Sequence, residues 1–367
     1  MNVAVIIDYY PPRHDGGDSI FARDLAVGLK ELVTPIVFTR IPRVTSTRVF
    51  DDAGVKVVYL GDDWQRKLLG YIHDIDLVHF FQIDNLPMVR FIKERREVPV
   101  LFHMEISFKR YSELFEPDYD SEKYNLLEKE AVELSDKLIV PCKNELEQIA
   151  RLYPSAGVVT IPNGINYSLR LGNPFGAPKK NYKTNFAFMG RLDDPMKGGY
   201  DLIEAMNQLP HEYLNRAHFI FIGCRDSRFL KQIEALRKTA ACEVHPWISD
   251  ENELWQKLAE THFMLMPSRY ETFGMVCLES MAMGIVPIAS DAGALGEIVI
   301  DKVNGFYVDI SRNASHHLAR AIMRSIEMND LEYQRMKEAS IMKARKDYKI
   351  ENIANEVVGL YKILGVN

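Results

Sequence analysis

The chain has 367 residues, 47% hydrophobic and 26% charged, with a formal net charge of -6 at pH 7. That balance describes a folded globular protein of about two domains and excludes disordered and fibrous classes. The negative charge argues against nucleic acid as a partner, because such surfaces are normally basic.

The opening run MNVAVIIDYY is of strand length and has no basic region before it, so it reads as neither a signal peptide nor a membrane span. No later run reaches the roughly 18 apolar residues a span needs, and a cytoplasmic protein is expected. Cys142, Cys224, Cys242 and Cys277 show no CxxC spacing and lie in apolar segments, which fits reduced thiols rather than a zinc site or a disulfide framework.

Through the first half, NVAVIID, TPIVFT, VKVVYL, DLVHFFQ, VPVLFH and DKLIVP are continuous apolar runs of the kind buried on both faces of a parallel sheet. Amphipathic stretches separate several of them, such as DSIFARDLAVGLKEL with Ile20, Leu25, Leu29 and Leu32 near helical spacing. Arg40, Arg43 and Arg48, beside Phe38, Ile41 and Phe50, form a basic cluster that reads either as a solvated loop or as a peripheral contact with anionic lipid. The acidic stretch around Asp118 and Asp120 reads as solvated. The alternation breaks at residues 166–185, rich in Gly, Pro, Asn and Lys, and restarts with NFAFMG, AHFIFIG, CEVHPW, HFMLMP, IVPIAS and NGFYVD.

The expected class is therefore α/β, with two Rossmann-like doubly wound domains facing each other across a cleft. The expected boundaries are an N-terminal Rossmann-like domain over 1–166, a linker over 167–184, and a second Rossmann-like domain over 185–348. A C-terminal helix over 349–367 then packs on either half. Ligands in such folds bind beyond the carboxyl ends of the strands.

Three loops at strand ends stand out. Gly16 and Gly17 follow the first strand and open a helix; they read either as a tight turn or as a place where backbone approaches an anion. The loop MGRLDDPMKGG carries Arg191 and Lys197, either as a cationic grip on a diphosphate or as a surface loop in which Asp193 and Asp194 pair with both cations. In RYETFGMVCLESMAMG, Glu271 and Glu279 lie eight residues apart, about 12 Å along a helix axis, with the amides of Phe273, Gly274 and Met275 between them. The alternatives there are two grips on one extended ligand, or a Glu271 that merely favours the helix dipole and an exposed Glu279.

The Glu271-x7-Glu279 spacing inside PSRYETFGMVCLESMAMGIVPIAS resembles the signature of the GT-B fold retaining glycosyltransferases of family 4, the glycosyl transferases group 1. The ordered segments DYYPPRHDGG, VPVLFHMEI, SDKLIVPCKNELEQIARLYP, VVTIPNGIN and FAFMGRLDDPMKGGYDLIEAMNQL extend the likeness over nearly the whole chain. The resemblance implies a metal-independent hexosyltransferase that moves a hexose from a UDP- or GDP-sugar to an acceptor hydroxyl, with no cofactor, in polysaccharide, glycolipid or glycoconjugate synthesis. It implies that Arg191 and Lys197 stabilise the departing diphosphate, Glu271 holds sugar hydroxyls and Glu279 the ribose diol. Phe273, Gly274 and Met275 would join the donor site, Gly16 and Gly17 approach it, and His103 lie beside the reacting sugar. The acceptor, a carbohydrate or lipid-linked molecule, would be met near RHDGGDS and HMEISFKRY.

The chain departs from the family where many members read Gly-Gly-x-x-Glu. It has Gly293-Ala294-Leu295-Gly296-Glu297, which leaves the role of Glu297 open. Two other readings stand beside this one: another nucleotide-sugar enzyme, epimerase- or phosphorylase-like, and a non-catalytic glycan-binding partner of a transferase.

Overall fold

The computed structural model describes residues 1–10, 16–40, 46–115, 120–171, 183–224 and 226–366. Arg43, Asp118 and most of the expected linker lie outside these residues. The chain divides into two compact units, Met1–Asn166 with Lys349–Asn367, and Tyr167–Tyr348.

The first unit holds an eight-stranded sheet of β1 (Asn2–Ile6), β2 (Thr34–Arg40), β3 (Arg48–Asp52), β4 (Val55–Leu60), β5 (Leu77–Phe80), β6 (Val100–His103), β7 (Lys137–Val140) and β8 (Val158–Thr160). The spatial order is β3-β4-β2-β1-β5-β6-β7-β8. All pairs are parallel except β3 with β4. The basic cluster is thus not one loop. Arg40 ends β2 with its guanidinium over the Trp64 ring, and Arg48 opens the antiparallel edge strand.

That hairpin turns on Ala53 and Gly54, both with positive φ (51° and 86°), the backbone that a two-residue turn requires. One sheet face buries Ala4, Ile6, Val78, Phe80, Val100 and Phe102, with Phe80 and Phe102 stacked at 4.6 Å. Each fully buried aromatic of this kind contributes about 1.5–3 kcal/mol. Helices Gly17–Leu29 and Ile350–Ile363 pack on each other within this unit. The former ends at Leu29, so Leu32 is exposed and Phe21, Leu25 and Leu29 form the buried face. The last helix joins the unit where Ile350 N–H donates to the Ile165 carbonyl (3.1 Å).

The second unit holds β9 (Thr184–Met189), β10 (Ala217–Ile222), β11 (Ala241–His245), β12 (Phe263–Met266), β13 (Val286–Ala289) and β14 (Phe306–Tyr307), all parallel. Their order is β11-β10-β9-β12-β13-β14. Phe186 stacks between Phe219 (5.3 Å) and Phe263 (5.6 Å), so the three central strands share one aromatic core. No helix among the described residues is long and apolar enough to cross a membrane.

Candidate active site

In the second unit the chain runs outward from β9 through β10 to β11, then from β12 through β13 to β14 in the other direction. The carboxyl ends of the neighbouring strands β9 and β12 form a switch point, where two loops diverge and leave a crevice. Arg191 and Lys197 lie on one loop, Glu271 on the other.

Backbone contacts lock the two loops together. Arg269 N–H donates to the Met196 carbonyl (2.7 Å). Gly198 has φ 70°, and a Cβ there would sit 2.1 Å from the Pro267 carbonyl oxygen. On this frame Lys197 Nζ lies 2.7 Å from Glu271 Oε2, with both side chains largely buried, and the Ser268 hydroxyl donates to the same oxygen (3.3 Å). The alternative in which Asp193 and Asp194 neutralise both cations therefore fails for Lys197. It holds loosely for Arg191, whose side chain is 67% exposed and 3.5 Å from Asp194.

The helix Met275–Met283 begins after Gly274, which is left-handed (φ 94°), and no side chain caps that end. Its first amides therefore remain available to an anion. Glu271 lies before the helix, so the two glutamates are not on one continuous helix face. A third loop holds Glu271 in place: Ala294 N–H donates to the Thr272 carbonyl (3.2 Å), and a Cβ on Gly293 would fall 1.5 Å from the Glu271 carbonyl oxygen. The departure at Gly293-Ala294 thus keeps the glycine that this approach demands. Phe273 is buried against Tyr348, at 5.8 Å between ring centres.

Glu279 is not exposed; the helix is buried on nearly every side and carries the carboxylate inward. Arg170 NH2 lies 2.7 Å from Glu279 Oε1 and 2.7 Å from Glu251 Oε1, so one guanidinium serves two carboxylates. Sequence reasoning placed Arg170 in a linker. Nothing in NYSLRL marks it, because its partners are 81 and 109 residues away.

The first unit has its own switch point, between β1 and β5. Gln82 ties the loops beyond these strands: its Oε1 accepts from Asp8 N–H (3.1 Å) and its Nε2 donates to Asp18 Oδ2 (2.8 Å). Gly16 and Gly17 stand at the start of the helix beside Asp18. Burial, and then the neighbouring Asp84, push the Asp8 carboxyl up to about 6, against the pull of Arg40.

His103 is fully buried, stacked on Phe81 (4.9 Å) with Phe21 edge-on (5.2 Å), so its imidazole offers no surface for a sugar. The group that comes nearer the rim is Glu105, with an 11% exposed side chain 3.5 Å from His103 Nε2. Asn163 Nδ2 donates to both its oxygens (3.0 and 2.8 Å), and burial pushes the carboxyl up to about 8. Glu105 was not singled out from the sequence. Among the described residues no group of three His, Cys, Asp or Glu side chains is placed to hold a metal ion.

Residues 173–343 match the family model for glycosyl transferases group 1. A glycogen synthase of Thermodesulfovibrio yellowstonii is 30% identical over 177 residues, 48% of this chain and 34% of that protein. A D-inositol 3-phosphate glycosyltransferase of Xylanimonas cellulosilytica is 27% identical over 50% of this chain and 47% of its own length. The chain therefore spans between a third and a half of these relatives. An uncharacterized glycosyltransferase of Methanocaldococcus jannaschii is 26% identical over 99% of this chain and 98% of its own.

Among solved structures, a sucrose-phosphate synthase from Thermosynechococcus elongatus superposes with a TM-score of 0.80 at 20% identity, covering 99% and 98% of the two chains. Anabaena HepE in complex with UDP-glucose gives 0.74 at 18% identity, covering 99% of each. These likenesses establish the GT-B fold.

Proposed function

We propose that this chain, whose residues 173–343 match the family model for glycosyl transferases group 1, is a retaining, metal-independent hexosyltransferase using a nucleoside diphosphate sugar. The observation that carries the reading is the Lys197–Glu271 pair (2.7 Å), placed where the loops beyond β9 and β12 diverge and next to an uncapped helix end. As the glycosidic bond breaks, charge develops on the diphosphate. Lys197, the exposed guanidinium of Arg191 and the amides at Gly274 and Met275 supply fixed positive potential there, and groups already in place lower the barrier without reorganising.

Glu271, held by Lys197 and Ser268, accepts hydroxyls of the transferred sugar. Glu279 takes the ribose diol, with Arg170 orienting its carboxylate. HepE was crystallised with UDP-glucose, which makes that compound the first donor to try, followed by GDP- and ADP-glucose.

The test is release of nucleoside diphosphate by the purified chain. Lys197→Ala and Arg191→Ala should each lower the rate about 100-fold or more, with the unfolding midpoint of Arg191→Ala, whose side chain is exposed, near that of the parent. Near-parental rates in both variants would falsify the assignment. Release without any stable transfer product, accompanied by an isomerised sugar, would favour the epimerase-like reading. No release from any of the three donors would favour a non-catalytic partner.

A further inference from the structure

The face of β5 and β6 opposite Phe80 and Phe102 is buried too, and it carries two histidines where apolar residues are the norm. His79 and His103 are both fully buried and lie parallel, with ring centres 5.4 Å apart. His79 Nδ1 meets the hydroxyl of Tyr361, on the helix Ile350–Ile363, at 2.7 Å, and its Nε2 meets His103 Nδ1 at 3.3 Å. His103 Nε2 has no hydrogen-bond partner within normal range; the nearest carboxylate oxygen is Glu105 Oε1 at 3.5 Å. Tyr361, His79, His103 and Glu105 thus form one polar line through an otherwise apolar layer, ending at the rim of the unit.

The direction of the line follows from counting protons. Burial holds His79 down to about 3, and burial together with His79 holds His103 well below the usual imidazole range, so each ring carries one N–H. Two arrangements exist. In one, Tyr361 O–H donates to His79 Nδ1, His79 Nε2–H donates to His103 Nδ1, and His103 Nε2–H points at Glu105. In the other every bond reverses, His79 Nδ1–H donates to Tyr361, and the hydroxyl proton of Tyr361 has no acceptor. Tyr361 is fully buried and His79 is the only hydrogen-bond partner of its hydroxyl among the described residues. The second arrangement leaves two buried polar atoms unserved, the Tyr361 O–H and His103 Nε2, whereas the first leaves only the His103 Nε2–H, which faces Glu105 at 3.5 Å, so the first arrangement prevails.

We propose that Tyr361 and His79 are positioning residues that hold His103 in its Nε2–H tautomer, so that the imidazole presents a proton donor to Glu105 at the rim of the unit. The last helix of the chain thereby sets the hydrogen-bonding character of a group at the end of β6. A donor fixed 3.5 Å from Glu105 Oε1 faces the carboxyl that Asn163 already holds by both oxygens, which orients it for a ligand hydroxyl. The tautomer follows from the burial of both rings and the hydrogen-bond geometry; its bearing on catalysis rests on the glycosyltransferase reading above.

The experiment is histidine ring spectroscopy on the full chain labelled with 15N-histidine at pH 7, with His79→Gln and His103→Gln used only to assign the signals. The parent should show both rings in the Nε2–H form. Tyr361→Phe removes only the hydroxyl, and His79 should then show a mixture of both tautomers, with His103 shifted. In that variant the turnover for UDP release from UDP-glucose should fall about 10-fold with an unchanged KM for UDP-glucose, a split that general loosening of the fold would not produce. An Nδ1–H signal for His103 in the parent overturns the proposal, as does a Tyr361→Phe protein with parental spectra and turnover. If the phenylalanine variant does not fold, the parental spectrum decides by itself. If the parent releases no UDP, the transferase reading falls while the spectra still decide the tautomer.

Discussion

The switch point of the second unit and the buried polar line of the first are built with opposite chemistry. In the second unit, charges answer charges: Lys197 meets Glu271, Arg170 meets Glu279 and Glu251, and Arg269 meets Asp201. In the first unit, the buried line of Tyr361, His79 and His103 is neutral, and Glu105 at its end is pushed toward its protonated form. A paired ionic site is suited to a ligand that brings its own charge, because the partners are already desolvated and aimed. A neutral hydrogen-bonded site is suited to hydroxyls, and it stays neutral only over a limited pH range. The difference teaches which perturbations each region should resist.

The largest expected effect breaks the ionic region through its backbone. Gly293→Ala places a Cβ 1.5 Å from the Glu271 carbonyl oxygen, at φ 54°. Relieving that overlap must move the loop holding Glu271, at a cost of about 2–4 kcal/mol. The urea midpoint should fall accordingly and diphosphate release should be lost, while the ring signals of His79 and His103 stay at parental positions. Altered histidine signals would show that the two regions do not respond separately.

What the sequence revealed follows the same division. The twelve strand-like apolar runs all appear as strands, because a strand buried on both faces leaves a continuous apolar run. Arg191, Lys197 and Glu271 stood out because charged residues beside glycine and proline at a strand end have few structural uses, and the fold brings their two loops side by side beyond β9 and β12. β8 escaped notice as a three-residue segment, and β3 because its turn is Ala-Gly rather than the Asn-Gly or Asp-Gly that marks such hairpins. The histidine line was hidden for a different reason. His79 and His103 each sit inside an apolar run, and Tyr361 lies 282 residues from His79, so only the sheet order and the returning helix bring them together. Arg170 was hidden in the same way.

A smaller effect concerns pH, and the neutral region should fail at both ends of the range. For His79 the folded pKa of about 3 lies below the ordinary 6.5. The folded state therefore binds fewer protons than the unfolded one between these values, and stability falls as pH drops below 6.5. For Glu105 the folded pKa of about 8 lies above the ordinary 4.5. Its contribution is complete below 4.5 and is lost as pH rises toward 8. Urea midpoints measured from pH 4 to 9 should decline on both sides, and Glu105→Gln should remove the alkaline decline, a gain of about 1–2 kcal/mol at pH 9 relative to the parent. An alkaline limb that survives in the glutamine variant would assign it to other groups and detach Glu105 from the neutral line.

The smallest effect moves the first unit without touching either site. Ala53 holds φ 51° in the β3–β4 turn, a backbone that an alanine adopts at a cost and an asparagine tolerates better, since its short amide can bond locally. Among the described residues the sheet of the second unit is wholly parallel and has no such hairpin. Ala53→Asn should therefore stabilise the first unit by about 0.5–1 kcal/mol, with diphosphate release unchanged. Hydrogen exchange resolves where the gain falls: slower exchange across β2 and β4 with no change across β9 and β12 would show that the units unfold separately. Equal protection of both sheets would instead show that they unfold together, and the contrast between the two regions would then be one of chemistry alone.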